Sequence, residues 1–208
     1  MAAVSEPLLN AAHDALGIPL RYARSGSSLA MAAMAGARQC VELQHYPRSD
    51  VVDTAHGTRF YYHAHGSRHT PGNEHGHFHL FAHGSQPGDY THLAGLSIDT
   101  RGQPVRLFTT NCWVTGETWR TAAEVEQFLV RFAVQTQGRL APVARWLTAM
   151  VHLYRPQLAQ LVRRRDTLMA RRSARQGWDV LCEDRQLDVV TQTRISLAKR
   201  IQQIQQLG

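Results

Sequence analysis

Histidine is the residue type in this chain whose spacing most strongly suggests chemistry. Seven of the twelve histidines fall between His63 and His83. Five of those seven occupy alternate positions in two short segments: His63, His65, His75, His77 and His79. Imidazole is the commonest metal ligand in proteins and titrates close to neutral pH. The spacing therefore predicts a cluster of imidazoles rather than a scatter of surface residues.

Strand geometry indicates how these rings would meet. Side chains at alternate positions of a strand share one face and lie about 6.6 Å apart. If the two segments pair across the loop 66–73, His65 lies opposite His75 and His63 lies opposite His77. Opposed side chains on one face are about 4.5–5.5 Å apart at Cβ. We therefore predict that three or four of these five histidines bind one metal ion. The alternatives are a solvated sheet face and a stack of hydrogen-bonded neutral imidazoles.

Three further residues are candidates for catalysis. Glu74 is the carboxylate nearest the cluster in sequence, and strict alternation points it away from His75. A rotated backbone at the strand start would instead make it a ligand or a general base with a raised pKa; an exposed turn carboxylate is the alternative. The next predicted strand adds His92. Pairing across a turn at 99–103 sets His92 opposite Asn111, which would then orient a ring or hold a substrate.

The ligand type limits the possible identity of the metal and the possible type of reaction only partly. Histidine ligation suits Zn, Cu, Fe or Ni equally, so we predict one first-row transition metal as cofactor. An open coordination position would make the protein a hydrolase or an oxygen-using enzyme with a small-molecule substrate. A non-catalytic module that sequesters metal or binds nucleic acid through its arginine-rich helices is the alternative. The isolated histidines are predicted to be structural: His13, His45, His56 and His152.

Composition and length favour one soluble globular domain over residues 1–208, with 43% hydrophobic and 19% charged residues. No stretch approaches the roughly 20 apolar residues that span a bilayer, and no basic segment precedes an apolar run near residue 1. We therefore expect a cytoplasmic protein without membrane contact. The three cysteines, Cys40, Cys112 and Cys182, are odd in number and lack a CxxC pair, which predicts reduced, buried thiols.

The sequence pattern divides the chain into three consecutive regions. Residues 1–47 predict helices at about 6–16 and 28–45, and residues 57–118 contain four short strand-like segments separated by turns, at 57–65, 74–82, 90–98 and 104–114. Residues 121–208 predict helices, with a capping box from Thr121 to Glu124 and helix starts at Pro142 and Pro156. The expected fold is α+β: a four-stranded antiparallel β-meander flanked by N-terminal helices and a C-terminal helical bundle. The last helix, at about 187–207, would either pack on the domain or form a homodimer seam.

Charge is concentrated in the C-terminal half. The net charge is +7, and from Arg120 onward fifteen Lys or Arg face seven Asp or Glu. Arginines at 163–165, 171, 172 and 175 lie on a predicted helix. They would form a solvated face with acidic partners such as Asp166 and Asp179, a nucleic-acid surface, or an anion site that favours an acidic substrate. We favour the solvated face.

Two short motifs resemble known families. His75-Gly-His77-Phe-His79 resembles the histidine-triad signature of nucleotide hydrolases and transferases, which implies a nucleotidyl intermediate on His77. Gly57 followed by His63-x-His65 is similar to the first cupin metal motif, which implies His63, His65, Glu74 and His92 as ligands. Over the whole chain, the order of helices, His-rich meander and helices looks like an uncharacterised bacterial domain family, and that resemblance implies no particular activity.

Overall fold

The computed structural model describes residues 5–37, 39, 41, 44–64, 74–86 and 88–206. Its α-helices are α1 (Glu6–Arg24), α2 (Leu29–Ala33), α3 (Cys112–Thr115), α4 (Ala122–Arg131), α5 (Ala141–Gln176), α6 (Trp178–Cys182) and α7 (Leu197–Gln205). Its strands are β1 (His45–Asp53), β2 (Thr58–Ala64), β3 (Glu74–His83), β4 (Tyr90–Asp99), β5 (Pro104–Thr110) and β6 (Val189–Arg194). The predicted α+β class is therefore confirmed.

Among the described residues, the sheet contains six strands where the sequence predicted four. They lie in the order β1-β2-β3-β4-β5-β6, and every neighbouring pair is antiparallel. The four predicted strands correspond to β2 through β5, which form the meander. The two extra strands cover the edges of this meander, so β3 and β4 lie at the centre of the sheet and are buried along most of their length.

Both extra strands depart from the sequence prediction: almost all of β1 lies where no element was predicted, and β6 lies where a helix was predicted. The predicted helix at 28–45 extends too far, because α2 ends at Ala33 and His45 already belongs to β1. The predicted helix at 187–207 begins instead as β6, and α7 starts only at Leu197. At β6, pairing with a sheet edge overrides local helical spacing.

The helices cover one face of the sheet. Phe60, Tyr62 and Phe78 point toward this helical layer and are 0–1% exposed, and the ring centroids of Phe78 and Trp146 of α5 are 6.0 Å apart. Leu197 and Ile204 of α7 are buried in the same core. The last helix therefore packs on the domain, which is the first of the two roles predicted for it. The chain therefore forms two layers, helices on one side and a sheet whose other face carries the histidines.

Helix α5 organises the helical layer. It runs for 36 residues without a break, so the prediction that Pro156 begins a new helix is wrong, while Pro142 does lie in its first turn. The capping box from Thr121 to Glu124 at the start of α4 is confirmed. Among the described residues, no helix is long and apolar enough to cross a membrane.

The cysteines differ from expectation. Cys112 at the start of α3 and Cys182 at the end of α6 form a disulfide, with their Cα atoms 5.0 Å apart. The prediction of reduced, buried thiols is wrong for this pair. Residues 70 positions apart in the sequence meet because α6 returns the chain beside the end of β5. Cys40 lies outside the described residues.

Candidate metal centre

Strand register places three histidines together on the face of the sheet opposite the helices. His63 of β2 pairs directly with His77 of β3, as predicted, and His79 lies two residues further along β3. One ligand nitrogen from each of His63, His77 and His79 lies within 4.8 Å of the others. His77 and His79 are 7% and 2% exposed, whereas His63 is partly exposed. These three rings form the imidazole cluster.

His75 does not join this cluster, although it belongs to the same alternating run. A β-bulge between Glu74 and Gly76 interrupts the pairing of β3 with β4. His75 turns toward the helical layer, where its Nδ1 lies 2.6 Å from the hydroxyl of the buried Tyr62. The prediction that His75 shares a face with His77 is therefore wrong. His65, the remaining predicted ligand, lies outside the described residues.

The same bulge brings Glu74 onto the cluster side. The His77 Nδ1–H donates to Glu74 Oε1 at 2.9 Å, and Arg106 Nη2 donates to Glu74 Oε2 at 2.9 Å. Burial alone would raise the pKa of Glu74, but these cationic and hydrogen-bonding neighbours outweigh it and leave the pKa lowered. The expected general base with a raised pKa is therefore not found. Glu74 instead fixes the orientation of the His77 ring.

His92 extends the cluster into the interior. Its Nε2 lies 3.0 Å from His79 Nδ1, and its Nδ1 lies 3.0 Å from Thr110 Oγ1. Burial, with Arg165 nearby, lowers the pKa of His92 to about 3. Burial and the neighbouring histidines also lower the pKa of His79 well below its usual value. Both rings are therefore neutral at physiological pH, the form that can offer a nitrogen lone pair to a metal.

Asn111 occupies a structural position. Its Oδ1 accepts from the backbone N–H of Cys112, which caps α3, and its Nδ2 donates to the carbonyl of Leu181 at 2.7 Å. These bonds hold the end of β5 to α6. The predicted role in orienting a ring belongs to the neighbouring residue, Thr110.

Aromatic rings line both sides of the cluster. The Phe108 ring stands edge-on to His77 and His79, with centroid distances of 5.1 and 5.9 Å, and lies over Gly95, where a Cβ would overlap it. On the opposite side, Tyr61 lies 5.0 Å from His79. Burial is the main cause of a raised pKa for Tyr61, so its hydroxyl stays protonated.

Several residues of the histidine face were not predicted from the sequence. His45, predicted to be isolated, pairs with His63 and stacks on Tyr61 at a centroid distance of 3.7 Å. Arg106, Phe108 and Thr110 were also missed as members of the site. Their alternation along β5 was the available signal, because positions two apart share a face. The missed pairing of β1, by contrast, had no local signal.

A partly buried carboxylate, that of Glu117, lies behind His92. Glu117 Oε2 accepts from the hydroxyl of Thr91 at 2.8 Å and from the backbone N–H of His92. Burial raises the pKa of Glu117 to about 7, although these hydrogen bonds and Arg165 act against the shift. Glu117 therefore changes charge close to neutral pH at the inner end of the histidine chain.

Comparison with known proteins identifies the family but no activity. A family model described as a domain of unknown function, DUF6969, matches residues 9–195. This is most of the chain, so the protein belongs to that family. No curated protein and no solved structure matches it.

Proposed function

For this member of the DUF6969 family, we propose a metal-binding function in which His63, His77 and His79 hold one first-row transition metal ion. The observation that carries the proposal is the convergence of three ligand nitrogens within 4.8 Å on two adjacent strands. Bonds of about 2.0–2.1 Å place two ligand nitrogens no more than about 4.2 Å apart, so binding would draw the three rings together from separations of up to 4.8 Å. Neutral nitrogen donors of this kind suit Zn, Fe, Cu and Ni alike.

Hydrogen bonds to the other ring nitrogens support this assignment. Because His77 donates its Nδ1–H to Glu74, its Nε2 carries the lone pair. A carboxylate partner of this kind is usual for a metal-binding histidine. A consistent tautomer chain also runs from His79 Nδ1–H to His92 Nε2 and from His92 Nδ1–H to Thr110. In that chain the lone pair of His79 lies on its Nε2.

Coordination number favours catalysis over storage. His77 and His79 are buried, and His63 is partly exposed although both of its ring nitrogens are buried. Three protein ligands leave at least one coordination position for water or substrate. We therefore propose a metalloenzyme, either a hydrolase or an oxygen-using enzyme. A bound ion would supply Lewis-acid activation of that water or substrate.

Elemental analysis of the purified protein by inductively coupled plasma mass spectrometry tests metal binding. We expect about one equivalent of a single first-row metal in the wild type and less than a tenth of that in His77→Ala and His79→Ala. His75→Gln is the matched control, because His75 belongs to the same sequence run but lies on the helical face. Circular dichroism would establish that each variant is folded.

The outcomes separate the alternatives. Full metal content in both alanine variants would overturn the proposed ligands. Metal loss in His75→Gln as well would restore the five-histidine arrangement predicted from the sequence. If the wild type takes up one equivalent but accelerates neither ester hydrolysis nor oxygen consumption, the non-catalytic alternative replaces the enzyme.

A further inference from the structure

The C-terminal part of α5 extends beyond the core of the protein. The last buried residue of this helix is Met169, and residues 170–176 are exposed except for the half-buried Ser173. At 1.5 Å per residue, the seven residues after Met169 extend the helix by about 10 Å. This segment is therefore available to a partner without any rearrangement of the fold.

Three arginines occupy one face of this part of the helix. Arg164, Arg171 and Arg175 follow one another at intervals of seven and four residues, and all three are exposed. These intervals return to the same side of an α-helix after two turns and one turn. The guanidinium groups therefore form a row, which we call the arginine stripe, with steps of about 10 Å and 6 Å along the axis.

Arg163 and Arg165, on either side of Arg164, have acidic partners, whereas among the described residues the stripe has none. Arg163 forms a two-pronged ion pair with Glu126 of α4. Arg165 is buried and binds Asp166, whose other oxygen accepts from the backbone N–H of Ala122. Within the part of the chain that the structure describes, no carboxylate lies within 4 Å of a stripe guanidinium nitrogen. The sequence favoured a solvated face on which acidic residues such as Asp166 and Asp179 pair with the arginines. In the described part of the chain, the three arginines of the stripe do not form such pairs.

An aromatic side chain follows the stripe three residues after Arg175. Trp178 begins α6 directly after Gly177 and is 39% exposed. Its indole packs against Trp119, with centroids 5.2 Å apart and an interplanar angle of 76°. Trp119 is itself held by the buried Arg165, whose guanidinium carbon lies 4.0 Å from the ring centroid. Trp178 is therefore a supported, partly open aromatic surface.

We propose that the arginine stripe and Trp178 bind single-stranded nucleic acid. A row of cations follows a phosphodiester backbone, and a partly exposed indole close by in the sequence provides a stacking surface for a base; this combination is typical of proteins that bind single strands. An acidic protein segment would use the arginines but not the indole. This proposal is independent of the metal site, because it uses neither the sheet nor its histidines.

Fluorescence anisotropy with a labelled 20-nucleotide oligouridine, titrated with the full-length protein between 50 and 300 mM salt, tests the proposal. Each phosphate contact contributes about −0.7 to the slope of log K against log salt for a single strand. The triple variant Arg164→Gln, Arg171→Gln, Arg175→Gln should therefore reduce the magnitude of the slope by about 2. Trp178→Ala should weaken binding about 5- to 100-fold while leaving the slope unchanged.

A charge-matched control removes three exposed arginines elsewhere: Arg21→Gln, Arg24→Gln and Arg101→Gln. Binding that falls equally in this control would reflect net charge and would overturn the site. Polyglutamate that competes as well as oligouridine would assign the surface to an acidic protein. Oligodeoxythymidine and a 20-base-pair duplex serve as further probes; equal binding of oligouridine and oligodeoxythymidine supports the proposal, and preference for the duplex contradicts it.

Discussion

The two faces of β3 are buried to a similar extent but by different means. On the helical face, Phe78 and Leu80 are 0% and 1% exposed and pack against apolar side chains. On the other face, His77 and His79 are 7% and 2% exposed and are surrounded by other rings and polar groups. Alternate residues of a single strand therefore lie in two different environments.

The difference shows that burial alone does not reveal what a residue does. A buried phenyl ring needs only close packing, whereas a buried imidazole needs a partner for each ring nitrogen. On the histidine face, Glu74 and His92 satisfy the Nδ1 atoms of His77 and His79. The helical face therefore mainly stabilises the fold, and the histidine face retains polar atoms that are suited to chemistry.

Replacing a residue on the helical face should have the largest effect on stability. We expect Phe78→Ala to lower the free energy of unfolding by about 3–5 kcal/mol, because it leaves a cavity between the sheet and Trp146. Urea denaturation measures this loss. The folded fraction should still bind metal in full, and a folded Phe78→Ala protein without metal would contradict the separate roles of the two faces.

The carboxylate that holds His77 should affect metal affinity more than stability. Glu74→Gln keeps the size of the side chain but removes the negative charge facing His77 and Arg106. We expect metal affinity to fall about 10- to 100-fold, as is usual when a carboxylate partner of a ligating histidine is removed. Competition with a chromophoric chelator measures the affinity, and an unchanged value would exclude Glu74 from the metal centre.

The pH dependence of stability should identify the partly buried carboxylate behind His92. Because burial raises the pKa of Glu117 from 4.5 to about 7, the folded protein keeps a proton that the unfolded chain loses across this range. Its contribution to the free energy of unfolding therefore falls as the pH rises. Between pH 5 and pH 7, the wild type should lose about 2 kcal/mol relative to Glu117→Gln.

Urea denaturation of both proteins at several pH values measures this difference. The buried histidines have lowered pKa values, so they contribute a slope of opposite sign, but they are common to both proteins and cancel in the comparison. Parallel pH profiles would mean that Glu117 is ionised in the folded state throughout.

The four central strands were predictable because each combines β-forming residues with turns at both ends. The pairing of His63 with His77 was predictable for the same reason, since loop length and alternation favour one register. The edge strands were not predictable, because β1 and β6 gain their hydrogen bonds from distant partners: Val51 pairs with Phe60, and Thr191 pairs with Thr109.

The candidate site also has a part that the sequence predicted and a part that it did not. Alternation correctly placed His77 and His79 on one face but gave the wrong face for His75, because a β-bulge shifts the alternation by one position. The bulge also turned Glu74 toward His77 and so changed its pKa from an expected increase to a decrease. A bulge of this kind depends on how β3 pairs with β4, which the local sequence does not encode.

The sequence by itself determined that imidazoles gather on the central strands, because residue type and a two-residue period are properties of the local chain. Only the tertiary structure decided which nitrogens converge, which carboxylate supports them and which arginines keep exposed charges. Those properties depend on strand register, burial and neighbours from distant parts of the chain, as the bonds from Arg106 to Glu74 and from Thr110 to His92 illustrate.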